Sequence, residues 1–123
     1  MIAGAVSDEY EVMVTLTVRS PTGAEYEFDA QIDTGFDGSL TLPPAVITHL
    51  GLPWRDYGQV LIADGTEIEF DLHDGIVVWN GRPLPVLIGS ADVTPLVGVA
   101  LLAGYRLAVD FRPGGPVGIE PLG

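Results

Sequence analysis

Short apolar runs broken by glycine and proline recur along this chain, and many of them alternate with a period of two. In Glu11–Arg19, Val12, Val14, Leu16 and Val18 share one side while Thr15, Thr17 and Arg19 share the other, as a half-buried strand requires. Ser20-Pro21-Thr22-Gly23 supplies turn chemistry, and Glu25–Ile32 predicts the returning strand of a hairpin. Ser39–Leu42 reads as a short strand. A helix is expected from Pro44 to His49 or Leu50, with Gly51 as its C-terminal cap and Pro53 preventing continuation. Gln59–Ala63 and Thr66–Phe70 flank Asp64-Gly65, which predicts a two-residue type I′ hairpin. A further hairpin is expected over Ile76–Ile88 around Asn80-Gly81. A second short helix is expected over Val99–Ala103, closed by Gly104, and final strands over Leu107–Phe111 and Val117–Leu122. The whole pattern predicts an all-β domain with one or two short helices. Residues 1–123 form a single domain, with no internal repeat, linker or low-complexity segment.

Composition narrows the partners. Seventeen acidic residues against five basic ones give a formal charge of −12, a field that repels phosphate backbones and anionic lipid. Neither nucleic acid nor a membrane surface is therefore an expected partner. There are no cysteines, which excludes disulfides, thiol nucleophiles and Cys-ligated zinc. The apolar run Pro95–Gly104 is about half the length of a membrane helix, and Met1–Val6 lacks the basic flank and apolar core of a signal peptide. These features point to a cytoplasmic protein. A hydrophobic content of 47% is high for so small a domain, and part of it is expected in a subunit interface.

The most informative chemistry lies after the second strand, in Asp33-Thr34-Gly35-Phe36-Asp37-Gly38-Ser39. A carboxylate, a hydroxyl and a glycine stand where the chain must turn as it leaves the interior. Metal-free peptide hydrolysis needs an activated water and a proton donor for the departing amine. One aspartate with a pKa of about 3.9 supplies neither well at neutral pH. Two carboxylates about 3 Å apart cannot both ionise, so one acts as base and the other as acid. At an effective dielectric of about 20 their repulsion is about 5 kcal/mol, enough to separate the two titrations by a few pH units. Asp37 is a poor second carboxylate, because Asp37-Gly38 has the chemistry of the next turn.

The order of landmarks is a hairpin, Asp-Thr-Gly, a short helix, an Asp-Gly hairpin and then Leu96-Val97-Gly98-Val99-Ala100-Leu101-Leu102. It resembles the retropepsin-like aspartic proteases, and more narrowly the small single-domain aspartyl-protease-like proteins of prokaryotes, over residues 10–111. The resemblance implies a closed barrel or sandwich and a homodimer with Asp33 of each subunit at the twofold as the catalytic pair. Thr34 and Gly35 would support the active-site loop. Phe36, Ala63, Asp64 and Gly65 would contact substrate from the cleft and the flap. A peptide or protein substrate is implied, with no metal and no organic cofactor. Phe36 departs from the alanine or serine common at its position, and Ala100 from a charged or polar residue. The flap tip also lacks the glycine-rich stretch of the retroviral enzymes. These departures keep a second reading open, a catalytically silent protease-fold module that binds peptide or dimerises.

Other residues carry weaker signals. Asp71 and His73 would share a strand face as two metal ligands, with no third in view, and a solvated face is the expected reading. His49 stands apart from both. Trp54 and Tyr57 are expected in core or interface. Ser39 has no histidine at motif spacing, and Gly114-Gly115 has no following helix to bind phosphate.

Overall fold

The computed structural model describes residues 1–61 and 64–123, with main chain alone at 60 and 61. The strands are β1 (Ile2–Val6), β2 (Val12–Arg19), β3 (Glu25–Ile32), β4 (Leu40–Leu42), β5 (Trp54–Leu61), β6 (Glu67–Trp79), β7 (Arg82–Ser90), β8 (Leu96–Val97), β9 (Tyr105–Val109) and β10 (Pro116–Pro121). Two helices, α1 (Pro44–Leu50) and α2 (Val99–Leu102), interrupt them. The all-β expectation with short helices therefore holds.

Among the described residues ten strands join one sheet in the order β5-β6-β7-β4-β8-β3-β2-β1-β10-β9. A further pairing of β6 with β2 closes β2, β3, β8, β4, β7 and β6 into a ring. One edge of β2 is shared: Val12–Val14 meet β1, and Thr17–Arg19 meet Ile76–Val78 of β6. The ring leaves β5 and the β1-β10-β9 ribbon as extensions.

The core follows the alternation. Val14, Leu16 and Val18 of β2, Phe28, Ala30 and Ile32 of β3, and Val77 and Trp79 of β6 are all buried, while Thr15, Glu27 and Asp29 face water. All of β4 is buried, since it lies between β7 and β8 near the middle of the sheet. Each such Val, Leu or Ile contributes roughly 1.5–3 kcal/mol of burial. Helix α1 adds Ile47 and Leu50, three apart on one face, and ends at Gly51 with φ +65°, the left-handed cap its sequence predicts.

The two hairpins depart from each other. Trp79 pairs with Arg82 across Asn80-Gly81, whose φ values of +51° and +78° are those of a type I′ turn. At Asp64-Gly65 the register pairs Leu61 with Glu67 and Val60 with Ile68. A two-residue Asp64-Gly65 turn would instead pair Leu61 with Ile68, so the expected hairpin register is off by one residue.

Three other features were not expected. β1 forms from an alanine- and glycine-containing segment; a Cβ at Gly4 would lie 2.0 Å from the Met13 carbonyl, so glycine permits the close approach to β2. β6 runs unbroken from Glu67 to Trp79 and so joins the strand expected at Thr66–Phe70 to the one expected from Ile76, through the Asp71–His73 segment read as a solvated strand face. β5 begins at Trp54, and a bulge between Trp54 and Asp56 puts Trp54 and Tyr57 side by side, with their exposed rings edge to face at 4.9 Å.

Candidate active site

Asp33 leaves β3 beside β8. Its N–H donates to the Val97 carbonyl at 2.9 Å, continuing the parallel ladder in which Gln31 N–H donates to Pro95 at 2.8 Å. Phe36 N–H then donates to the Asp33 carbonyl at 3.1 Å, closing the turn. Within it Asp33 Oδ1 accepts the Gly35 N–H at 2.9 Å, an Asx-type bond that fixes the carboxylate. Among the described residues, Oδ2 meets no protein donor. Asp33 is half-buried, while Thr34 and Gly35 are exposed.

The loop is held from the other side by the start of α2. Gly98 N–H donates to Ser39 at 3.0 Å, Val99 N–H to Phe36 at 2.9 Å and Ala100 N–H to Gly38 at 3.2 Å. Gly98 makes this possible. A Cβ on it would lie 2.1 Å from the Gly38 carbonyl oxygen and 2.6 Å from the Phe36 ring. The same ring would meet a Cβ on Gly38 at 2.5 Å. Phe36 is thus half-buried against two glycines, and it braces the loop as well as bordering it. In the sequence Gly38 reads as a turn residue and Gly98 as the glycine of the Leu96-Val97-Gly98 landmark before a helix; their shared packing partner, Phe36, is not legible there.

A second layer supports β8. The buried Thr41 hydroxyl accepts the Leu96 N–H at 3.0 Å. A Cβ on Gly89 would touch both Thr41 and the ring of Phe70, and a Cβ on Gly58 would meet that ring at 2.5 Å. Phe70 therefore folds over glycines of β5 and β7 and ties the β5-β6 hairpin to the strands behind Asp33.

At the hairpin end, Asp64 and Gly65 are exposed, and Gly65 has φ +85°. The Thr66 N–H donates to Asp64 Oδ1 at 2.8 Å. Hydrogen bonding from Thr66, side chain first and main chain second, holds the Asp64 carboxyl below its usual 3.8. Ala63 lies outside the described residues. Among the described residues no hydrogen bond joins Asp64–Thr66 to the Asp33 loop.

Thr34 opens onto an apolar hollow of about 440 Å³ that it shares with Val12, Ile32, Leu107, Val109 and Phe111. Asp37 is exposed. Asp71 accepts from Trp54 Nε1 at 3.1 Å and His73 Nδ1 lies 2.9 Å from the Leu52 carbonyl, so each has a partner of its own. Among the described residues no group of three metal-ligating side chains occurs, and no helix is long and apolar enough to cross a membrane. Chemically, one chain supplies one oriented carboxylate beside an apolar hollow. No protein-family model matches the chain, and no curated protein matches it.

Proposed function

We propose that the protein is a retropepsin-like aspartic endopeptidase, working as a homodimer in which Asp33 of each subunit shares a proton and activates one water. The observation that carries this reading is the Asp33-Thr34-Gly35 turn: a half-buried carboxylate fixed by Gly35 N–H, on a loop clamped by residues 97–100. Catalysis by a carboxylate pair needs such prior fixing, because a mobile acid would relax away from its like-charged twin. One Asp33 takes a proton from water as it attacks the peptide carbonyl; the other, protonated, donates to the departing nitrogen. The exposed Thr34 is free to hydrogen-bond across the twofold. Gly35 leaves room for substrate, and Phe36, Asp64 and Gly65 border an extended peptide.

A second copy has a surface suited to it. β9 is an edge strand. Asp110 N–H donates to Pro116, so 110 and 116 form a hydrogen-bonded pair and Tyr105, Leu107 and Val109 turn their main-chain groups outward. Those three positions are symmetric about Leu107, and Leu107 and Val109 border the hollow beside Thr34. Antiparallel pairing of β9 with its copy would bring both hollows, and both Asp33 loops, to one axis.

Asp33→Asn should lower cleavage of a mixed peptide library, between roughly pH 4 and 7, by on the order of 10³-fold and leave the dimer intact. Cleavage at the wild-type rate overturns the assignment. Tight peptide retention with no products from the wild type supports the rival, a protease-fold binding module that uses the same free edge without turnover.

A further inference from the structure

A groove of about 750 Å³ lies far from Asp33, where β2 ends and β6 passes β7. Arg19 of this groove pairs with Glu25 at the start of β3, whereas Asp33 follows its end, on the order of 25 Å of strand away. Its walls are mostly aliphatic, from Leu52, Pro53, Ile76, Pro85, Val86 and Leu87, with Asp74 the one carboxylate among the lining and no aromatic ring. Ile76 and Leu87 are 36% and 43% exposed, side chains left to water that would gain by being covered.

The wall also refuses one kind of visitor. Trp79–Arg82 closes a two-residue turn as a hydrogen-bonded pair, so residues 83, 85 and 87 of β7 direct their main chain away from β6. Pro85 in the groove wall and Pro83 just beyond it have no N–H to offer, which leaves Leu87 as the outward donor of this stretch. A peptide strand laid along this edge would leave its carbonyls unmatched opposite both prolines. An occupant must therefore be held through side chains and bring few polar groups of its own.

Charge supplies the remaining selection. The chain carries only five basic residues, all arginine, and Arg19 and Arg55 both line this groove. Each uses Nε for its protein partner: Arg19 Nε meets Glu25 at 3.2 Å, and Arg55 Nε meets both oxygens of Asp74 at 3.1 Å. Among the described residues, neither guanidinium uses its terminal nitrogens. Two half-exposed forks are left at an aliphatic groove, and a terminal fork matches a carboxylate bidentately.

We propose that this groove is a binding site for an aliphatic carboxylic acid, its chain lying on Ile76, Val86 and Leu87 and its carboxylate between Arg19 and Arg55. The site is separate from Asp33 and does not depend on peptidase activity. The probe is decanoate, titrated below its micelle-forming range into the intact protein and followed by methyl NMR and calorimetry. A saturable one-to-one complex that shifts the methyl signals of Ile76, Val86 and Leu87 is expected. Arg19→Gln with Arg55→Gln should weaken it about tenfold or more, and decanol should bind about tenfold more weakly than decanoate. Asp33→Asn should bind as the wild type does. Equal affinity for decanol, unchanged affinity in the double variant, or shifts confined to the hollow beside Thr34 would each overturn the proposal. So would tighter binding of an extended peptide of similar apolarity, since the proline edge would then not discriminate.

Discussion

Gly98 stands where any side chain would enter the loop it supports. Its replacement by alanine puts a methyl 2.1 Å from the Gly38 carbonyl, a main-chain atom that cannot swing aside. A loss of about 2–4 kcal/mol is expected, read as a lower urea midpoint. The atoms nearest a methyl at Gly38 all belong to the Phe36 ring, so the double variant of Gly38→Ala with Phe36→Ala should recover much of the loss. Failure of that recovery would show that Phe36 does not set the constraint. The Asp33-Thr34-Gly35 triplet was legible in the sequence because each residue type has a local reason to be there. The bracing of that loop was not: the need for glycine at 98 depends on which carbonyl arrives from 60 residues away in the chain.

At the scale of elements, strand identity was readable wherever alternation and turn chemistry agreed. Asn80-Gly81 gave a correct hairpin because both residues tolerate positive φ and the flanking pair closes at once. Asp64-Gly65 has the same letters in effect, yet the strands pair one register away, a difference fixed by cross-strand packing such as Phe70 over Gly58. β1 was missed because its value lies in meeting β2 and β10, partners that a segment of alanine and glycine does not advertise. The Asp64 contact carries a pH prediction. Its folded-state pKa lies below 3.8, so its stabilising contact with Thr66 is present above the unfolded value and fades as pH falls through the lowered one. A carboxyl NMR titration should place the Asp64 midpoint below 3.8; a midpoint at or above that value would contradict the contact. Along β7, Pro83→Thr with Pro85→Thr would restore outward donors, and concentration-dependent association is the expected result by light scattering.

For the whole molecule, charge would oppose the proposed pairing of two subunits. Two copies at −12 each bring −24 together, so salt should tighten a dimer by screening that repulsion. Sedimentation at low and high ionic strength checks the sign. Leu107→Asp, placed on the open edge of β9, should yield monomer and abolish cleavage together, whereas Asp33→Asn should abolish cleavage alone. A Leu107→Asp monomer that still cleaves peptide would remove the need for a pair of subunits.

The pairing of Thr17–Arg19 with Ile76–Val78 has a mechanical meaning. It is one clasp of a bracelet, three residues long where the joins at β8 are shorter still, and the other links of the ring can stay fastened when it opens. Amides at this clasp should exchange with solvent by a partial opening that costs less than complete unfolding, and sooner than those joining Leu16 to Phe28. Arg19 and Ile76 belong both to the clasp and to the aliphatic groove, so a molecule seated there would keep the bracelet shut.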